Sequence, residues 1–215
     1  MLFHNFVKLI NISKSFKMFL EYSNHPDEKR GWIEVITGCM FAGKTEELIR
    51  RLKRAKFAHQ KVAVFKPAME KRFSREKVTS HNATTMPSIS VKRSVEILSL
   101  VNDIEVVCID EAQFFEADLV DICNKLANNG LRIIVAGLDL DFRGNPFGPM
   151  PGLMASAEYV TKLHAICVRC GNLAQYSYRT AQDDHLVLLG SGETYEPLCR
   201  KCYFTAMNEI EKYLY

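Results

Sequence analysis

No apolar stretch in the 215-residue chain is long enough to cross a bilayer, because charged residues interrupt every one. A membrane partner is therefore not expected. Strong charge of one sign is also missing. The 28 Lys and Arg stand against 25 Asp and Glu, and a formal net charge of +3 is too mild to argue for nucleic acid. No basic stripe interleaved with aromatics occurs, so the signature of a strand-binding groove is absent and no nucleic-acid partner is expected. Residues 1–30 lack the unbroken apolar centre and small-residue cleavage site of a secretory signal, since Lys8, Lys14 and Lys17 break their apolar runs. Without an export signal the seven cysteines are not expected to pair as disulfides, and the expected compartment is the cytoplasm.

What remains is the composition of an ordinary folded protein, 47% hydrophobic and 25% charged. The length suits one α/β domain, or one domain with a small appendage. Residues 1–30, rich in Phe, Lys and Asn, read as a disordered extension; a weak amphipathic helix and an organellar-type presequence are the other readings.

The stretch Gly38-Cys39-Met40-Phe41-Ala42-Gly43-Lys44-Thr45 is a complete G-x-x-x-x-G-K-T phosphate loop. An apolar-alternating run, Trp32 to Ile36, precedes it, and Leu48, Ile49, Leu52 and Ala55 follow at helical spacing. Strand, loop and helix are the setting this motif requires. Gly38 and Gly43 let successive backbone N–H groups converge on one phosphate, and the helix starting near Lys44 adds the positive end of its dipole. Lys44 is expected to reach the β- and γ-phosphates of a nucleoside triphosphate, and the Thr45 hydroxyl to ligate magnesium.

Lys61 to Lys66 reads as a second buried strand ended by Pro67. The polar stretch from about 68 to 90 has no sustained period and reads as a long loop, either closing over substrate or simply solvated. Ile104 to Ile109 is an apolar strand ending in Asp110 and Glu111, the Walker B pattern. A carboxylate at the end of a parallel strand lies beside the phosphate loop, so Asp110 is assigned to magnesium. Glu111 points elsewhere and is available for proton abstraction. Phe115, Leu119, Ile122 and Leu126 predict an amphipathic helix ending at Asn129-Gly130, and Leu131 to Ala136 the next strand. The alternation predicts a parallel, doubly wound sheet. Leu138 to Gly148 is a loop at a strand's C-terminal end, where such sheets bind ligands; its Phe142 either stacks on a base or packs within the loop.

Cys167-x-x-Cys170 and Cys199-x-x-Cys202 have the double-knuckle spacing of a zinc ribbon, and four thiolates imply a closed, structural zinc site. Between them Leu186 to Leu189 reads as a strand, followed by a Gly-rich loop, 190–194.

Together GCMFAGKT, IDEAQFF at 109–115, LDLDFRGNPFG at 138–148 and the paired CxxC flanking GSGETYEPLC resemble the type II, zinc-bearing cytosolic thymidine kinase family, from about Gly31 to Tyr203. The resemblance implies a P-loop, RecA-like parallel sheet flanked by helices over 31–164 and a zinc-ribbon lasso domain over 165–215. It implies phosphoryl transfer from ATP–magnesium to the 5′-hydroxyl of thymidine, with Glu111 as base. Gly38 to Thr45, Asp110 and Gln113 fall on the nucleotide side. Leu186, Val187, Leu188, Leu189, Gly190 and Tyr195 match the lasso around thymine; Phe142 and Phe114 match the base pocket, and Arg179 the acceptor side. The family implies a homotetramer inhibited by thymidine triphosphate. His81-Asn82-Ala83 stands where some members carry His-Asp-Arg, and Ser177 where some place Thr near the base methyl. Asp110-Glu111-Ala112-Gln113 also resembles the acidic box of RNA helicases, so a nucleic-acid ATPase and an ATP-gated zinc-ribbon interaction protein are the competing readings, although a translocating helicase normally needs two ATPase domains.

Overall fold

The computed structural model describes residues 30–68, 77–79, 85–180 and 194–213. Strand β1 (Trp32–Thr37) enters the phosphate loop, which opens into α1 (Lys44–Phe57). Next come β2 (Val62–Pro67), a hairpin of β3 (Lys77–Thr79) and β4 (Thr85–Pro87), then β5 (Ile89–Val91) and the one-turn α2 (Ile97–Leu100). β6 (Val106–Ile109), α3 (Leu119–Asn128), β7 (Arg132–Gly137), α4 (Met150–Ser156) and β8 (Tyr159–Lys162) complete the first part. Four short strands follow, β9 (Ala165–Ile166), β10 (Leu173–Ala174), β11 (Tyr176–Arg179) and β12 (Tyr195–Leu198), and then α5 (Arg200–Tyr213).

Six strands form one sheet in the order β5-β2-β6-β7-β1-β8, and each neighbouring pair is parallel. The period of two along each strand sends alternate residues to opposite faces. Ile33 and Val35, Ala63 and Phe65, Val107 and Ile109, and Ile133 and Val135 pack under α3 and α4. Ile36, Val64, Val106, Cys108, Ile134 and Ala136 face Leu48, Ile49, Leu52 and Ala55 of α1. The sheet is thus covered on both faces, as the alternation of strands and helices predicts.

A charged cluster sits on the α1 face. Glu34 is buried, and its carboxylate accepts from Arg51 NH1, Arg132 Nε and Trp32 Nε1, each at 2.7 Å. Burial alone would raise its pKa, but these donors and positive charges outweigh burial and hold it below the ordinary carboxylate value.

Two expectations need correction. The polar stretch 68–90 contains strands: β3 and β4 pair with Val78 opposite Met86, and β5 adds to the sheet edge beside β2. Three-residue strands carry too few positions to show a period. Phe115 is buried but precedes its expected helix, because the 3₁₀ turn Ala112–Phe114 ends on an extended Phe115 and α3 starts only at Leu119. The expected strand Leu186–Leu189, and the extension apart from Arg30, lie outside the described residues.

Candidate active site

The phosphate loop has the geometry its glycines predict. Gly38 has φ of 141°, and a Cβ there would lie 2.2 Å from the Leu163 carbonyl oxygen, so no other residue fits. Phe41 and Gly43 also take positive φ, which turns the chain tightly into α1. Lys44 Nζ donates to the Cys39 carbonyl at 2.8 Å, and Thr45 lies in the first turn of α1. The loop is held from outside the sheet as well. The Met40 N–H donates to Ser177 Oγ at 2.9 Å, and the Cys39 thiol donates to the Ala174 carbonyl at 3.4 Å. Cys39, Phe41 and Ala42 belong to the same apolar cluster as Cys167, Cys199 and Tyr203.

Asp110 ends β6 and is buried. At Glu111 the backbone turns left-handed, φ 53°, and its N–H donates to Asp110 Oδ1 at 3.0 Å. Burial lowers the Lys44 pKa, while Glu111, Cys39, Asp110 and Asp139 act in the other direction; three carboxylates therefore bear on this ammonium. Gln113, expected on the nucleotide side, is buried: its Nε2 donates to Glu111 Oε2 at 2.5 Å, and its Oε1 accepts the Leu138 N–H at 2.9 Å.

Sequence reasoning missed Asp139. The sheet order sets β7 between β6 and β1, so the residues just after β7 emerge between the two nucleotide motifs. Asp139 is buried there, its Oδ2 paired with Lys162 Nζ at 2.7 Å, while Oδ1 has no hydrogen-bond partner among the described residues. The signal was available in the Leu-Asp-Leu-Asp that closes the strand, but only strand order gives it meaning.

Phe142, Arg179 and Tyr195 are brought together. The Arg179 guanidinium carbon lies 3.7 Å from the Phe142 ring centre, and Arg179 Nε and NH2 donate to Tyr195 Oη at 3.1 and 2.7 Å. Arg179 and Tyr195 are buried, and they face each other as a register pair of β11 and β12. Tyr203 Oη donates to the Phe142 carbonyl at 2.8 Å, which ties the 138–148 loop to α5. Phe114 is half-buried and packs edge-on against Phe147 at 5.7 Å. Ser177 Oγ accepts a phosphate-loop N–H. Leu186, Val187, Leu188, Leu189 and Gly190, with His81, Asn82 and Ala83, lie outside the described residues.

The four cysteines meet. Cys167, Cys170, Cys199 and Cys202 have all their Sγ atoms within 4.8 Å of one another, the spacing of a tetrahedral four-thiolate metal site. Burial acts upward on Cys167, but N–H groups of Cys199, Arg169 and Cys170 outweigh it and bring the thiol down to about 6. Cys202 is pushed up to about 12, chiefly through its contact with Cys170. Four thiols gathered at this spacing are the donor set a soft divalent ion completes.

The family model for thymidine kinase matches residues 31–203. A Bacteroides thetaiotaomicron protein named thymidine kinase is 56% identical over 192 residues, covering 89% of this chain and 96% of its own. Proteins of the same name from Porphyromonas gingivalis and a Rhodothermus species are 54% and 55% identical, over 84% and 80% of this chain and 89% and 81% of theirs. With the phosphate loop, the paired acids and the four-cysteine cluster in one molecule, and matches of this extent, the chain belongs to the thymidine kinase family.

Proposed function

We propose that the protein transfers the γ-phosphate of ATP to the 5′-hydroxyl of thymidine, with deoxyuridine as a second acceptor, giving dTMP in pyrimidine salvage. Family membership and the names of the relatives support the reaction. The observation that carries it for this chain is the phosphate loop itself, where Gly38, Phe41 and Gly43 at positive φ turn the chain into α1 and Lys44 Nζ is held on the Cys39 carbonyl.

Phosphoryl transfer asks the protein mainly for positioning and charge. The amides of Gly38 to Thr45 cradle the phosphates, and Lys44 exchanges the Cys39 carbonyl for a phosphate oxygen. Magnesium, bound with the triphosphate, supplies charge against the β- and γ-phosphates; Thr45 and Asp110 would hold it. Glu111 takes the proton of the 5′-hydroxyl. Phe142 stacks on the thymine, while Arg179 and Tyr195 brace its ring from behind. Zinc in the four-thiolate site would supply a fixed node from which β12 is held. On this reading 31–164 is the nucleotide-binding unit and 165–215 the zinc-bearing unit that carries the lasso. The resemblance extends the proposal to a cytoplasmic homotetramer inhibited by thymidine triphosphate, acting without nucleic acid.

A coupled ATP–magnesium assay across a panel of nucleosides, with and without single-stranded nucleic acid, tests the reading. Turnover on thymidine, less on deoxyuridine and none on purine nucleosides is expected. Turnover that ignores nucleosides and rises with added strands would replace it with a nucleic-acid ATPase.

A further inference from the structure

Gln113 is buried at the base of the site, and both ends of its amide are engaged. Its Oε1 accepts the Leu138 N–H, and that donor fixes which way the amide points. The NH2 end is thereby directed at Glu111, where Nε2 donates to Oε2 at 2.5 Å. Turning the amide over would set N–H against N–H and carbonyl against carboxylate.

The surroundings are shaped to the same end. A Cβ on Gly137 would lie 2.9 Å from Gln113 Oε1 and 2.6 Å from Met150 Sδ. A Cβ on Gly148 would lie 2.3 Å from the Gln113 carbonyl oxygen. Two glycines from two different segments thus make room for this one residue. Glu111 meanwhile holds a left-handed backbone, φ 53°, which a residue with a side chain adopts only when its neighbours determine it.

We infer that Gln113 is a positioning residue for the general base. It pins one carboxylate oxygen of Glu111 to the backbone just after β7, the strand beside the phosphate-loop strand. Gln113 then acts through Glu111 and does not itself touch the nucleotide. The inference rests on the reading of Glu111 as base.

A double-mutant cycle on kcat, with ATP and thymidine binding measured alongside, tests it. Gln113→Leu removes both hydrogen bonds. Gln113→Met removes both hydrogen bonds with an unbranched side chain of similar length, so it serves if the leucine variant melts early. Either change is expected to lower kcat between about 10- and 100-fold, the cost of letting a reacting group wander by about 1 Å, with ATP affinity within about twofold of wild type. In a Glu111→Gln background the same change should lower the residual rate less than twofold, because the group it positions is gone. A residue that only supported the fold would lower both backgrounds equally, and that result overturns the inference. So does wild-type kcat in both Gln113 variants. Failure of the underlying reading looks different: Glu111→Gln alone would then turn over normally.

Discussion

Cys108 in β6 and Cys123 in α3 are buried among aliphatic side chains, and burial pushes the Cys123 thiol up to about 12 and the Cys108 thiol up as well. Beyond β8 the same residue type does the reverse at Cys167, which backbone donors bring down to about 6 within a cluster of four. The difference lies in what each region can bury. The sheet is sandwiched by two apolar clusters that supply its stability, so a cysteine there is one more small apolar group. The later strands are two to four residues long and pair two by two over one smaller cluster, and there the four cysteines come together. Stability and reactivity come from different sources in the two regions, and each can be broken separately.

The largest effect is expected at the junction. Glu111→Gln should lower kcat by about 10²–10⁴-fold with ATP binding kept, measured by initial rates and equilibrium binding. In the sheet region, Glu34→Gln takes one of two carboxylates from the buried Arg51, which keeps Glu47, and should cost about 1–3 kcal/mol of unfolding free energy near neutral pH. The folded pKa of Glu34 is depressed, so its contribution is present above the ordinary value of 4.5 and fades as pH falls through the folded pKa. Denaturant melts near pH 7 and in the acid range should show the gap between wild type and variant closing in acid; an unchanged gap would mean that the charge is not the cause. Leu48→Ala, at a fully buried position under α1, should cost about 2–4 kcal/mol and lower Tm while leaving KM for both substrates alone. The smallest change tests the link between the regions. Ser177→Ala removes the acceptor of the Met40 N–H and should raise KM for ATP about fivefold, with Ser177→Thr restoring it.

Much of this organisation is legible in the chain itself. The phosphate loop, the acids closing β6 and the two CxxC pairs are contiguous motifs whose chemistry depends on local spacing, and the alternation of strands and helices announces the parallel sheet. Asp139 and Gln113 are different. Their meaning comes from β7 lying between the two motif strands, a relation among segments far apart in sequence that no local period encodes. The Phe142, Arg179 and Tyr195 group could be named through resemblance, but its contacts follow from the pairing of β11 with β12. The short strands β3 to β5 and the early position of Phe115 escaped because pattern needs length.

The division of labour is tested most directly by measuring thymidine and ATP binding to Cys199→Ala protein whose metal content has been determined. Tyr195 lies in β12, immediately ahead of Cys199, while the phosphate loop is built into the sheet and touches the cysteine-bearing region only along one side. The variant should lose its metal and bind thymidine at least about tenfold more weakly, with ATP affinity falling only a few-fold through the Met40–Ser177 contact. Thymidine affinity equal to wild type in the metal-free variant would contradict the account.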